Sequence, residues 1–252
     1  MVEIAGTTRL VGILGDPVSG SLSPRMQNAA FAALALDWAY VPLPVVAGRL
    51  ADAVRGLQAS GFAGANVTIP HKQAVVELCH SLAPAAERSG SVNTLVFRNG
   101  QVLGDSTDGE AVTSAVDAAG RRALVLGGGG AAQAVVAALW EAGAADVTIA
   151  TRSEPGWPPS TDGFEVVVNA TPVRDETIVV PQPHQQVVDL AYRADGVDTA
   201  LVSAARAAGC ERVVDGLEVL VRQGAASFER WTGIQAPIDV MRAAVSGGRR
   251  QP

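Results

Sequence analysis

The sequence predicts an α/β protein of two domains, and three observations predict it. Strand-like and helix-like segments alternate along the 252 residues. A run of four glycines, Gly127 to Gly130, stands between a short apolar strand pattern and a long alanine-rich helix pattern. The chain is 48% hydrophobic, enough for one large core or two modest ones.

The elements follow in order. Leu10 to Leu14 reads as a strand. Pro24 to Leu36 carries apolar residues at helical spacing, with Ser23 placed as a cap before Pro24. Trp38 to Leu43 is a second strand, Val46 to Leu57 a helix, and Phe62 to Ile69 a third strand ended by Pro70. Short helical stretches follow at Ala74 to Leu78 and Pro84 to Arg88. Val92 to Phe97 and Val102 to Leu103 flank Asn99-Gly100, a hairpin turn signal. A helix is predicted from Asp108 to about Ala119, then a strand at Ala123 to Leu126 that runs into the glycines. The alanine-rich helix ends near Gly143, and Val147 to Ala150 completes a βαβ unit. Phe164 to Val168 and Val187 to Leu190 are further strands. Thr199 to Ala208, Leu217 to Trp231 and Ala236 to Val245 are helices, and Ser246 to Pro252 reads as a frayed tail.

Composition excludes several functions. A net charge of −6 without a basic tract argues against nucleic acid, whose binding rests on neutralising phosphates. No apolar run reaches the roughly 20 residues that cross a membrane, and a strand pattern begins at Arg9 without a signal-peptide pattern. Cys79 and Cys210 form no disulfide framework, so a cytoplasmic location is expected. His71, His80 and His184 lack metal-ligand spacing, and no metal is expected. There is no G-x-S-x-G elbow.

The residues that carry chemistry are unevenly placed. Lys72 is the single lysine among 19 basic residues. Coding bias toward arginine explains the rest, but arginine cannot release a proton and lysine can. Lys72 follows Asn66 and Thr68, which alternation puts on one face of a strand. Ser21 and Ser23 precede a helix, where hydroxyls bind a carboxylate or simply cap. Asn93 and Asp108 stand among small polar residues at strand ends and turns, although Asp108 also suits a helix cap.

The Gly127-x-Gly129-Gly130 turn, with Ala132 at the third fingerprint position, suits a pyrophosphate. A tight turn needs glycine, and the phosphate needs close backbone approach and free helix amides. The next strand ends in Thr151-Arg152-Ser153. Arginine there, in place of the acid that binds ribose hydroxyls, favours NADP over NAD, although Arg152 also reads as an ordinary surface residue and Glu154 brings an opposing charge.

These motifs together resemble the shikimate dehydrogenase family. The matching stretches are GDPVSGSLSPRMQN from Gly15, GFAGANVTIPHK from Gly61, GSVNT from Gly90 and GDSTDG from Gly104. They continue with GGGGA from Gly127, NAT from Asn169 and DGLEVLVRQ from Asp215, so their order covers nearly the whole chain.

The resemblance implies an N-terminal substrate-binding domain, residues 1–103, completed by C-terminal helices at about 225–247. It implies a Rossmann-type NADP-binding domain, residues 104–224, with a cleft between the two. The implied reaction is reversible NADPH-dependent reduction of 3-dehydroshikimate to shikimate, within aromatic amino-acid biosynthesis. Lys72 and Asp108 are the implied catalytic pair. Ser21 and Ser23 are implied for the substrate carboxylate, and Asn66, Thr68, Asn93, Asp108 and Gln223 for the ring hydroxyls, with Tyr192 a further contact. The implied cofactor residues are Gly127, Gly128, Gly129, Gly130, Ala131, Thr151, Arg152, Ser153, Ala170, Thr171 and Gly216. The small-molecule substrate is the one partner implied, with the chain a monomer or homodimer.

Departures from the family pattern are Gln27 for histidine, Ser106 for asparagine, Val219 for methionine, and no proline after Tyr192. The segment between Arg152 and Asn169 lacks room for the usual helix and strand. Its Glu154-Pro-Gly-Trp-Pro-Pro159 is incompatible with a helix. Trp157 there either covers an adenine or caps exposed core. A sister activity on quinate or an amino analogue of shikimate, with NAD or NADP, is the alternative reading; a non-catalytic relative is a third.

Overall fold

The computed structural model describes residues 4–246. The predicted tail beyond Ser246 lies outside them. The chain forms two compact units, one of residues 4–107 and 221–246 and one of residues 108–220. The expected divisions lay after residues 103 and 224. Thr107 falls in the first unit because its backbone N–H donates to Asn93 Oδ1 (2.9 Å) and its hydroxyl to Gln223 O (3.0 Å).

In chain order the first unit holds β1 (Arg9–Gly15), α1 (Ser23–Ala33), β2 (Trp38–Pro44), α2 (Leu50–Ala59) and β3 (Gly64–Val67). It continues with β4 (Ser81–Leu82), α3 (Pro84–Ser89), β5 (Thr94–Arg98) and β6 (Gln101–Asp105). The second unit holds α4 (Asp108–Thr113), β7 (Arg122–Leu126), α5 (Gly130–Glu141), β8 (Asp146–Ala150) and β9 (Val166–Asn169). β10 (Gln186–Asp189), α6 (Ala200–Ala207) and β11 (Arg212–Val214) follow. α7 (Gly216–Thr232) starts in the second unit and ends in the first, which α8 (Ile238–Ser246) completes.

The first sheet has the order β2-β1-β3-β5-β6-β4. β2, β1 and β3 run parallel, and β5 and β6 form an antiparallel hairpin beside β3. Asn99 and Gly100 both take positive φ (52° and 73°), which a two-residue hairpin turn requires. One face of the sheet buries Leu14, Val67, Leu95 and Val102 against Leu50 and Val54 of α2. Elsewhere in this unit, Phe31 of α1 stacks on Phe228 of α7 at 5.2 Å and meets Trp38 at 5.5 Å. Gly64 lets α7 approach the sheet: a Cβ there would lie 2.4 Å from Trp231 Nε1, which donates to Leu95 O.

The second sheet is wholly parallel, with order β11-β10-β9-β7-β8. Its strands alternate as period two demands. Ala123 and Val125 pack with Val112 of α4 and Val135 and Leu139 of α5. Leu124, Leu126 and Val167 pack on the other face with Leu201 and Ala205 of α6. That second face also rests on Trp157 and Phe164, in the connection from β8 to β9 that contains neither helix nor strand. Trp157 is thus a half-buried cover over apolar sheet where the family pattern has a helix.

Several expectations need correction. Ser23 is not the cap of α1. Leu22 holds that position without a side-chain hydrogen bond, and Ser23 lies buried in the first turn. The segment from Val46 opens with a 3-10 turn at Ala47–Arg49 before α2 begins. β3 stops at Val67, so Thr68 lies just beyond it, although its N–H still bonds Leu14 O. α4 ends at Thr113 rather than near Ala119. Tertiary partners divert the backbone there: Asp117 N–H donates to Gln186 Oε1, and Arg212 donates to Ala115 O. β4 and β11, of two and three residues, were not anticipated; tertiary pairing makes strands of runs too short to read.

Gly109 of α4 faces α5, where an added Cβ would lie 2.4 Å from Ala134 O and 2.6 Å from Ala138 Cβ. Gly109→Ala is expected to destabilise the second unit by roughly 1–3 kcal/mol, the usual cost of overpacking. Denaturant unfolding checks this, and an unchanged midpoint would contradict it.

Candidate functional site

In the first unit, strand register gathers the polar residues at one sheet end. β1 and β3 run parallel with Leu14 opposite Val67, so the loops bearing Ser21 and Lys72 leave from the same edge. β5 is antiparallel and starts there with Asn66 opposite Thr94, and β6 ends there with Asp105 opposite Thr94. Gly15 permits the close approach of the two loops, since a Cβ would meet the Thr68 methyl at 2.3 Å.

A buried network forms the floor. Asn66 and Asn93 are 5% and 2% exposed. The Asn66 amide donates to Asn93 O (3.1 Å), Thr94 Oγ1 (3.2 Å) and Ser227 Oγ (2.9 Å), and Tyr40 OH donates to Asn66 Oδ1 (2.8 Å). Asn93 Nδ2 donates to Thr107 Oγ1 at 2.9 Å, and Thr94 Oγ1 donates to Asn93 Oδ1 at 2.9 Å. The Ser227 and Thr107 hydroxyls both donate to Gln223 O, which ties α7 to the floor. Lys72, Thr68 and Gln223 are only half-buried. The Lys72 turn is pinned on both sides. Val92 N–H donates to Lys72 O (2.8 Å), and the buried His71 ring lies 2.6 Å from Val45 O.

The serine motif has its own arrangement. Ser23 N–H donates to Ser21 Oγ at 3.2 Å, so the Ser21 hydroxyl keeps its proton to give to an anion. The N-cap residue Leu22 offers no side-chain cap and Pro24 has no N–H, so beyond the Ser23–Ser21 bond α1 contributes the positive end of its helix dipole.

In the second unit all the candidate cofactor residues, and the candidate substrate contact Tyr192, follow C-terminal strand ends of one parallel sheet. Gly127 to Ala131 follow β7, Thr151 to Ser153 follow β8, Ala170 and Thr171 follow β9, Tyr192 lies three residues beyond β10, and Gly216 lies two beyond β11. The order of the sheet reverses between β7 and β9, the position at which open α/β sheets take nucleotides. Gly127 has φ +116° and a Cβ there would crowd Ala170 O at 3.2 Å, so the turn is reserved for glycine. Gly129 precedes α5 without a side-chain cap, and the first turn contains no acid. These features fit a dinucleotide phosphate. Thr151 Oγ1 and Ser153 Oγ lie 3.1 Å apart, and Glu154 Oε2 accepts from Thr151 N–H at 3.1 Å. Arg152 and Ser153 are exposed. Tyr192 and Gly216 line one small pocket with Ala191, Asp215 and Leu217.

Lys72 therefore belongs to the first unit, whereas Asp108, buried at the start of α4, belongs to the second. Sequence reasoning missed Tyr40, Thr107 and Ser227. Ser227 lies four residues after Gln223, one helical turn, and was findable on that spacing. Tyr40 was not, because only the strand order brings β2 within its reach of β3. Two departures from the family pattern carry buried side-chain oxygens with no hydrogen-bond partner: Gln27 Oε1 and Ser106 Oγ. The Gln27 amide is nonetheless fixed by donation to Gly224 O at 2.9 Å. Among the described residues no cluster of His, Cys, Asp or Glu has the makings of a metal site, and no helix is long and apolar enough to cross a membrane.

Comparison with known proteins points to one family. Residues 13–95 match the shikimate dehydrogenase substrate binding domain, and residues 216–245 match the shikimate 5'-dehydrogenase C-terminal domain. The chain is 42% identical to a shikimate dehydrogenase (NADP(+)) of Anaeromyxobacter dehalogenans, over 95% of this chain and 97% of that one. It is 38% identical to the corresponding Moorella thermoacetica protein, over 96% and 94%. The crystal structure of shikimate 5-dehydrogenase from Thermus thermophilus in complex with NADP(H) and shikimate superposes with a TM-score of 0.85 at 30% identity, covering 96% of this chain and 100% of that one. The chain belongs to the shikimate dehydrogenase family.

Proposed function

We propose that the protein is an NADP(H)-dependent shikimate dehydrogenase that reversibly reduces 3-dehydroshikimate to shikimate. The observation that carries this reading is the presence in one chain of two sets of groups, one in each unit. In one unit the lone lysine follows the strand that carries the hydrogen-bonded Asn66, and in the other a glycine turn without a side-chain cap lies at the switch point of a parallel sheet.

In this reading Ser21 and Ser23 hold the substrate carboxylate with their hydroxyls at the start of α1. Asn66 and Asn93 have most of their bonding capacity committed to Tyr40, Thr94, Thr107 and Ser227, so they set the floor. The half-buried Thr68 and Gln223, with Tyr192, are the more accessible partners for ring hydroxyls. Gly127 to Ala131 cradle the pyrophosphate, Thr151, Arg152 and Ser153 take the 2′-phosphate, and Ala170, Thr171 and Gly216 flank the remainder of the dinucleotide. When bound, the nicotinamide supplies or accepts the hydride. Lys72 meets the negative charge that grows on the carbonyl oxygen during reduction and gives it a proton; in oxidation it takes the proton back. Asp108 orients the lysine and the reacting hydroxyl.

The test is a crossed matrix of initial rates, shikimate and quinate each with NADP and with NAD. Shikimate with NADP is expected to exceed every other combination in kcat/KM by about tenfold or more, the discrimination a polar site achieves for one hydroxyl or phosphate. Preference for quinate or for NAD would overturn the substrate or cofactor assignment respectively.

A further inference from the structure

Asp189, at the end of β10, is wholly buried yet has no part in the mechanism above. Its oxygens are fully engaged. Oδ1 accepts from Asn169 Nδ2 (2.8 Å) and from Ala191 N–H (2.9 Å), and Oδ2 accepts from the Thr199 hydroxyl that caps α6. Asn169 passes the connection on. Its Oδ1 accepts from Thr171 N–H (3.0 Å) and Thr171 Oγ1 (2.7 Å), and its amide also donates to Val173 O. One carboxylate thus holds the turn after β9, with Ala170 and Thr171, and the turn after β10, with Ala191 and Tyr192. Both turns are packed without slack. A Cβ on Gly127 would crowd Ala170 O, and one on Gly216 would stand 2.2 Å from Ala191 O.

The cost of this arrangement is visible in the acid itself. Burial pushes the Asp189 carboxyl up to about 6, against the pull of its bonds from Thr199, Ala191 and Asn169 and with a small push from the Asp215 charge. Arg206 lies 3.7 Å from Asp215 and also pairs with Asp198, so the nearby cation is engaged elsewhere. An asparagine would avoid that desolvation and keep one acceptor oxygen for the Asn169 and Ala191 donors, but would not accept from the Thr199 hydroxyl that caps α6.

We propose that Asp189 is a positioning residue that clamps the Ala170–Thr171 and Ala191–Tyr192 turns in the geometry that receives the cofactor. The inference rests on the cofactor reading given above.

The experiment measures KM for NADP, kcat, and NADPH affinity by fluorescence titration for three variants, with folded fraction measured by circular dichroism. Asp189→Ala is expected to raise KM and Kd for the cofactor about tenfold per folded molecule. Asp189→Asn keeps one acceptor oxygen and can donate to Thr199 Oγ1, and is expected to return both constants to within threefold of the parent. Thr199→Val, which removes the bond that fixes the carboxylate and so loosens its hold on both turns, serves if the alanine variant does not fold; it is expected to raise KM two- to fourfold. A purely structural role would lower the folded fraction and leave cofactor constants unchanged, and that result in Asp189→Ala, or in Thr199→Val if it stands in, would overturn the proposal. An unaltered protein that fails to bind NADPH would instead overturn the cofactor reading.

Discussion

Lys72→Ala is expected to lower kcat about 1,000-fold while leaving the dissociation constant for NADPH within about threefold, the size of effect a positioned proton donor and charge stabiliser contributes. The reason is structural separation. Lys72 is held in the first unit by its own backbone contact to Val92 and by the anchored His71, and the glycine turn belongs to the second. Removing the ammonium should therefore spare the dinucleotide and remove the group that meets the developing alkoxide. Lys72→Arg sharpens the measurement. Arginine keeps the positive charge but cannot release a proton. Recovery of most of the activity with arginine would reassign Lys72 to charge stabilisation alone. Equal losses of cofactor binding and turnover in Lys72→Ala would remove it from the chemistry.

Arg152→Ala is expected to raise KM for NADP roughly 10- to 100-fold and to change KM for NAD by less than about threefold. Losing charge-assisted hydrogen bonds to a phosphate costs on the order of 1.5–3 kcal/mol, and NAD lacks that phosphate. Glu154 supplies a second arm to the measurement. Its carboxylate is fastened to Thr151 N–H and places a negative charge on the loop proposed to take the 2′-phosphate. Glu154→Gln can keep the hydrogen bond and removes the charge. A unit charge a few ångströms away through water is worth roughly 0.7 kcal/mol, so KM for NADP should fall about threefold. If neither substitution alters the ratio of NADP to NAD preference, the loop after β8 does not read the phosphate.

Much of the fold was legible because it depends on local patterns. The hairpin at Asn99-Gly100 announced itself by the two residues that tolerate left-handed backbone, and both adopt it. The central strands β7, β9 and β10 of the second sheet were visible as short apolar runs, since a parallel strand covered on both faces is buried nearly throughout, whereas the short edge strand β11 was not. The prolines and glycine after Arg152 forbade a helix, and the connection from β8 to β9 has none. What covers the sheet instead was not legible. Trp157 had two readings, and only its packing with Leu124, Leu126 and Val167 selects a core cover. Element ends were misplaced wherever a tertiary partner took over a backbone group, as Gln186 and Arg212 do beyond Thr113.

The candidate site divides the same way. Residue type and order alone marked Lys72, the serine pair, the Asn-x-Thr strand end, the glycine turn and Thr151-Arg152-Ser153, because each chemistry has a narrow choice of side chain. The sequence by itself thereby determined the two α/β units and the family, and it named the groups proposed for proton transfer and phosphate binding. The tertiary structure alone decided which of those groups are already committed. Tyr40 and Ser227 reach Asn66 from β2 and α7, and Asp189 at the end of β10 accepts from Asn169 and Ala191. These contacts span 26, 161 and 20 residues in the first three cases, and only two in the last. Hydrogen-bond satisfaction in a buried place depends on which strands and helices become neighbours, and no local pattern of side chains carries that information.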